Sequence, residues 1–74
     1  MSHKGKRKAI LDAVYLVQEA SPKGSGLGIQ TLKKQMGFDI DFDMEYLKEK
    51  GLLKAVGAYL KLTVAGIDEV ESDG

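Results

Sequence analysis

Apolar residues first fall into a helical rhythm at Ile10, Ala13, Val14 and Val17. This i, i+3, i+4, i+7 spacing makes one buried stripe, and Leu11 and Tyr15 widen it. The spacing predicts a helix over residues 7–20, RKAILDAVYLVQEA. Ser21-Pro22 ends it, because the residue before a proline avoids the α region. After glycines at 24, 26 and 28, a second helix is expected from about Leu27 to Met36, with Ile29, Leu32 and Met36 facing inward. Gly37 is placed to cap it. A third helix is predicted over residues 40–50, IDFDMEYLKEK. Ile40, Met44 and Leu47 form its inward stripe, and Phe42 and Tyr46 pair on a neighbouring one. Asp39 or Asp41 is placed to cap its start, and Gly51 to end it.

The rhythm then shortens. LLKAVGAYLKLT, residues 52–63, predicts two strands turning near Val56, Gly57 and Ala58. Leu60 and Leu62 alternate with Lys61, as in a half-buried strand. Thr63 is placed to cap a last short helix in which Ile67 and Val70 reach back to the core. The order predicts an α+β fold, mostly α: three helices, a hairpin and a short C-terminal helix. Residues 1–6 are expected as a flexible basic arm, 7–70 as the domain, and 71–74 as a disordered tail or the start of a linker.

The stretch YLKEKGLLKAVGAYLKLTVAG, Tyr46 to Gly66, resembles the winged helix-turn-helix family. Leu47, Lys48 to Lys50, Gly51 and Leu52-Leu53 match the end of that family's third helix. Leu62-Thr63 and Gly66 match the close of its β-hairpin wing. The resemblance extends over roughly residues 7–70. It implies a winged helix and, for function, binding of DNA, RNA or another protein.

Composition narrows this further. Seventy-four residues allow one small domain. A chain of this size buries only about 60% of its unfolded surface, so a deep desolvated active site is hard to build. There is no cysteine, hence no disulfide and no thiolate metal site. Small extracellular domains usually need such staples, so a cytoplasmic home is expected. No apolar run approaches the ~20 residues of a membrane span, and no membrane partner is expected. Net charge is zero, yet residues 1–34 carry seven bases against two acids, and residues 35–74 four bases against nine acids. Such asymmetry suits one face to an acidic partner.

The glycines of SPKGSGLGIQTLKK, residues 21–34, do not form a nucleotide loop. A dinucleotide fingerprint needs G-x-G-x-x-G after a buried strand, and a P-loop needs Gly-Lys-Ser/Thr; neither spacing occurs here. No nucleotide or other cofactor is expected. The remaining role for these residues is a flexible entry to a helix whose N-terminus meets a backbone phosphate, beside Lys23 and Ser25. Asp39, Asp41 and Asp43 superficially suggest a calcium loop, but Met44 and Lys50 stand where Gly and Glu are required. The lone histidine, His3, falls in the arm, so no catalytic triad can be assembled and no metal site is expected. The protein is not expected to be an enzyme.

The resemblance implies nucleic-acid binding, with DNA as the leading partner, in a prokaryotic-type intracellular regulator of transcription. The bases available for it are Lys6, Arg7, Lys8, Lys23, Lys33, Lys34, Lys48, Lys50, Lys54 and Lys61, with Ser25. Two features oppose conventional readout. The third helix, which enters the major groove in DNA-reading relatives, begins with Asp39, Asp41, Asp43 and Glu45, facing phosphates at electrostatic cost. The wing tip, Val56-Gly57-Ala58, has no base, and Tyr59 beside it is expected in the core. The alternative is a winged helix used for protein–protein interaction or dimerisation.

Overall fold

A computed structural model describes residues 2–72. Along them run α1 (His3–Ala20), β1 (Leu27–Gly28), α2 (Ile29–Met36), α3 (Asp41–Glu49), β2 (Leu53–Val56), β3 (Tyr59–Leu62) and α4 (Val64–Glu71). The strands form one antiparallel sheet in the order β1-β3-β2. The architecture is α+β and mostly helical, as the pattern predicts. No helix among the described residues is long and apolar enough to cross a membrane.

α1 begins at His3, four residues before the expected helix does. The Ser2 hydroxyl accepts from the Gly5 amide at 3.2 Å, capping a first turn made of residues expected to be a flexible arm. Its partners on α3, described below, hold that turn in place. At the other end, Glu71 closes α4 and Ser72 follows as its C-cap. The last two residues of the expected tail, and Met1 of the expected arm, lie outside the described residues.

Leu27 and Gly28 lie ahead of the second helix, not inside it. They do not open α2 but form a third strand, pairing with Leu60 and Tyr59 of β3. Gly26 makes this possible. Its φ is 103°, and a Cβ there would overlap the Leu60 carbonyl, so only glycine lets the chain lie so close to β3. Buried Leu27 then points into the core, and the Ile29 amide donates to the Ala58 carbonyl at 2.8 Å. This fastens the start of α2 to the hairpin turn.

The core lies where α1 crosses the bundle and the inner face of the sheet. Ile10 and Val14 of α1, Leu32 of α2, Ile40 before α3, and Leu60 of β3 are fully buried. Leu47 and Leu62 are nearly so. Each such side chain contributes about 1.5–3 kcal/mol relative to exposure. α3 ends in a two-bond motif: Leu52 N–H donates to the Leu47 carbonyl, and Gly51 N–H to that of Lys48, both at 3.0 Å. Gly51 takes the left-handed φ of 83° that the motif demands. Thr63 caps α4 as expected, accepting from the Gly66 amide at 3.0 Å, and it also donates to the Gly51 carbonyl. Ile67 and Val70 pack half-buried against the core.

One side chain substitutes for a strand. β1 covers β3 only at Leu60 and Tyr59. Further along, the Gln18 amide group of α1 accepts from Leu62 N–H at 2.7 Å and donates to the Leu62 carbonyl at 3.3 Å. Both backbone groups of Leu62 are thereby paired with a helix.

Candidate nucleic-acid interface

Two residues at the start of α1, His3 and Arg7, turn toward α3. Arg7 Nε donates to Asp43 Oδ1 at 3.0 Å, and its guanidinium lies 3.5 Å over the Tyr46 ring. His3 Nδ1 is 3.0 and 3.2 Å from the two Asp43 oxygens, so Nδ1 carries the proton. The His3 ring meets that of Phe42 at a 50° tilt, with centroids 5.1 Å apart. Lys6 stands 5.3 Å over Phe38. Lys8 pairs with Asp12 at 3.4 Å. Arg7 thus has a structural partner, and the bases at 6–8 do not form a free arm. His3, placed by the sequence in that arm, is half of a bridge.

Asp43 is 1% exposed, which removes it from the row of acids expected on the surface of α3. It sits between the Ile40 and Leu47 positions, three residues after one and four before the other. That spacing was a readable sign of an inward side chain. At 100° per residue, the solvent face of α3 is centred on Phe42, Glu45 and Glu49, all exposed. Asp39 instead accepts from the Asp41 amide at 3.0 Å and begins the helix electrostatically, while Ile40 occupies the cap position itself. Asp41 takes Lys33 at 3.4 Å, Glu45 takes Lys48 at 2.9 Å, and Lys50 stands 5.6 Å from the Tyr46 ring. Three expected phosphate contacts, Lys33, Lys48 and Lys50, are therefore drawn toward α3. Its outward face stays acidic around Phe42, which is 64% exposed.

The sheet is arranged differently. Lys54 and Lys61 are direct cross-strand partners, and beside them Val56 partners Tyr59. These four share the outer face, because Leu53, Leu60 and Leu62 point into the core. Tyr59 is 46% exposed, not in the core as its sequence neighbourhood suggested. Like charges at directly opposed positions add nothing to a sheet's stability. Lys61 Nζ is steadied by the Pro22 carbonyl at 3.0 Å, which draws the loop of Lys23 and Ser25 toward the sheet.

The face continues onto α2. A Cβ on Gly28 would touch both the Tyr59 ring and Thr31, so these two flank the same spot. Lys34 follows Thr31 by one turn on the same side of the helix. α2 has no acid, and no side chain caps its N-terminus. Lys34 and Lys54 have no ion-pair partner among the described residues, and Lys23, Ser25, Lys34 and Lys54 are all exposed. The sequence named these bases without showing that they align. It missed Tyr59 and Thr31 as their companions.

No family model matches the chain, and neither a curated protein nor a solved structure matches it.

Proposed function

We propose that the chain is a winged-helix domain of a cytoplasmic regulator that binds nucleic acid, and duplex DNA in particular. The contact surface in this reading is the outer face of the wing sheet together with α2, and α3 does not enter the groove. The observation that carries it is the outer sheet face, where Lys54 and Lys61 occupy directly opposed positions and neither strand holds an acid. Tyr59, Lys34 and the loop at Lys23 and Ser25 extend the contact, so the surface follows the backbone more than it reads base edges. The acidic solvent face of α3 argues against major-groove insertion.

The test is an NMR titration with duplex DNA at two salt concentrations. Expected are amide shifts at Thr31, Lys34, Lys54, Tyr59 and Lys61. The affinity should fall with salt as for about three to four neutralised phosphates. Unmoved signals at these positions at low salt would overturn the reading. Exposed Phe42 among acids favours a second reading, a protein contact or self-association through α3. The same spectra separate the two. Concentration-dependent shifts at Phe42 and Glu45, with the sheet unaffected by DNA, would support the second.

A further inference from the structure

The two sides of the wing hairpin are treated differently. Beyond β3, backbone groups are answered by β1 at Leu60 and Tyr59, and by the Gln18 side chain at Leu62. Beyond β2 there is no further strand. The phase of the ladder decides which groups point that way. The Thr63 amide donates to the Leu52 carbonyl at 3.1 Å, one step before the pair of Leu53 with Leu62. Bonded pairs alternate along an antiparallel ladder, so Lys54 exchanges bonds with Lys61, and Val56 with Tyr59. Leu53 and Ala55 therefore turn their N–H and C=O outward. Among the described residues, no turn, cap or side chain bonds to either backbone.

An open edge with free donors and acceptors is a template for another strand. A second β2, antiparallel about a two-fold axis, is complementary to this one. Two registers overlap most of the strand, and charge separates them. Centred on Lys54, the pairing sets two lysines directly opposite each other. Centred on Ala55, it sets Lys54 opposite Val56 of the second copy. Val56 is 63% exposed, and the lysine stem covers it. β1, at two residues, offers no comparable edge.

We propose that the chain self-associates as a two-fold pair through the edge of β2, with Ala55 at the axis exchanging two backbone hydrogen bonds with its copy. The two three-stranded sheets become one. The axis stands perpendicular to that sheet, so Lys54 and Lys61 of both copies lie on one outer face. Assembly stops at two, because each copy contributes the same edge and none is left over. The pair forms without nucleic acid, so its failure and that of the proposed DNA contact are distinguishable.

The test is NMR on the intact chain without DNA, from micromolar to millimolar concentration, because a contact this small associates weakly. Expected are concentration-dependent amide shifts at Leu53, Lys54, Ala55 and Val56, and tumbling that slows toward that of a chain of twice the mass. A mixed-isotope sample should show Lys54 Hα close to Val56 Hα of the other copy. Ala55→Pro removes the amide at the axis, where an edge strand tolerates proline, and is expected to abolish the association. Val56→Lys, at an exposed position, sets lysines opposite each other on both sides of the axis. It is expected to weaken association about tenfold while keeping the melting temperature of the dilute chain. Shifts and tumbling that ignore concentration, a Lys54–Lys54 contact between copies, concentration-dependent shifts confined to Phe42 and Glu45, or undiminished association in Val56→Lys would each overturn the proposal.

Discussion

Where α1 meets α3, buried Asp43 has found Arg7 and His3, whereas on the outer sheet face two lysines occupy directly opposed positions. Asp43 is buried, accepts from Arg7 and His3, and leaves no buried polar side-chain atom among the described residues without a partner. Lys54 and Lys61 face each other across two strands. Both arrangements use charged side chains on regular elements, yet only the first serves the fold. The lesson is that charge alone does not mark an interface. What marks it is charge that the rest of the chain has not answered.

Removing Asp43 should have the largest effect. Asp43→Ala leaves Arg7 without its acceptor and opens space beside Ile40 and Leu47, at a cost of about 3 kcal/mol. Asp43→Asn should cost less, because one oxygen still accepts. Denaturant unfolding of the two variants checks this, and a neutral Asp43→Ala would erase the contrast with the sheet. Next comes Lys54→Gln. It should leave stability unchanged or raise it by a few tenths of a kcal/mol, since a repulsion is lost. It should also lower the salt slope of DNA binding by about one. A clear loss of stability here would mean that the lysine pair serves the fold after all.

The smallest effect is expected at Tyr15, whose hydroxyl donates to Glu71 Oε2 at 2.8 Å and so ties α1 to α4. That bond, then slight burial, then the negative charges of Glu71 and Glu19, raise the Tyr15 pKa above its usual 10.0. A phenol whose pKa is raised on folding stabilises the fold while protonated. Its contribution is therefore complete below about pH 10 and is lost as the pH climbs through the raised value. Melting curves of Tyr15→Phe against the parent chain should differ slightly at neutral pH, with the parent more stable. The difference should vanish or reverse in strong alkali.

Much of the fold was legible because its signals are local. Helical stripes, Gly37 and Gly51 as terminators, and Thr63 as a cap depend on neighbours within one or two turns. What escaped depends on distant partners. β1 exists only because Gly26 lets the chain approach Leu60, and no two-residue strand has a period of its own. Ser2 was a readable cap, but the basic run after it hid the helix. The site divides the same way. Its bases were visible as residue types, while the pairing of Lys54 with Lys61 and the capture of Arg7 by Asp43 needed the register of the sheet and the packing of two helices.

The grip of Gln18 on Leu62 has a mechanical consequence. α1 is a rod about 27 Å long at 1.5 Å per residue. Near one end it is pinned to α3 through Arg7, and near the other to β3 through both backbone groups of Leu62. A rod held at one pin can swivel, but a rod held at two behaves as a strut. It cannot slide by one residue or roll about its axis without breaking a fastening. The sheet carrying Lys61 and the helix carrying Asp43 are therefore coupled through α1.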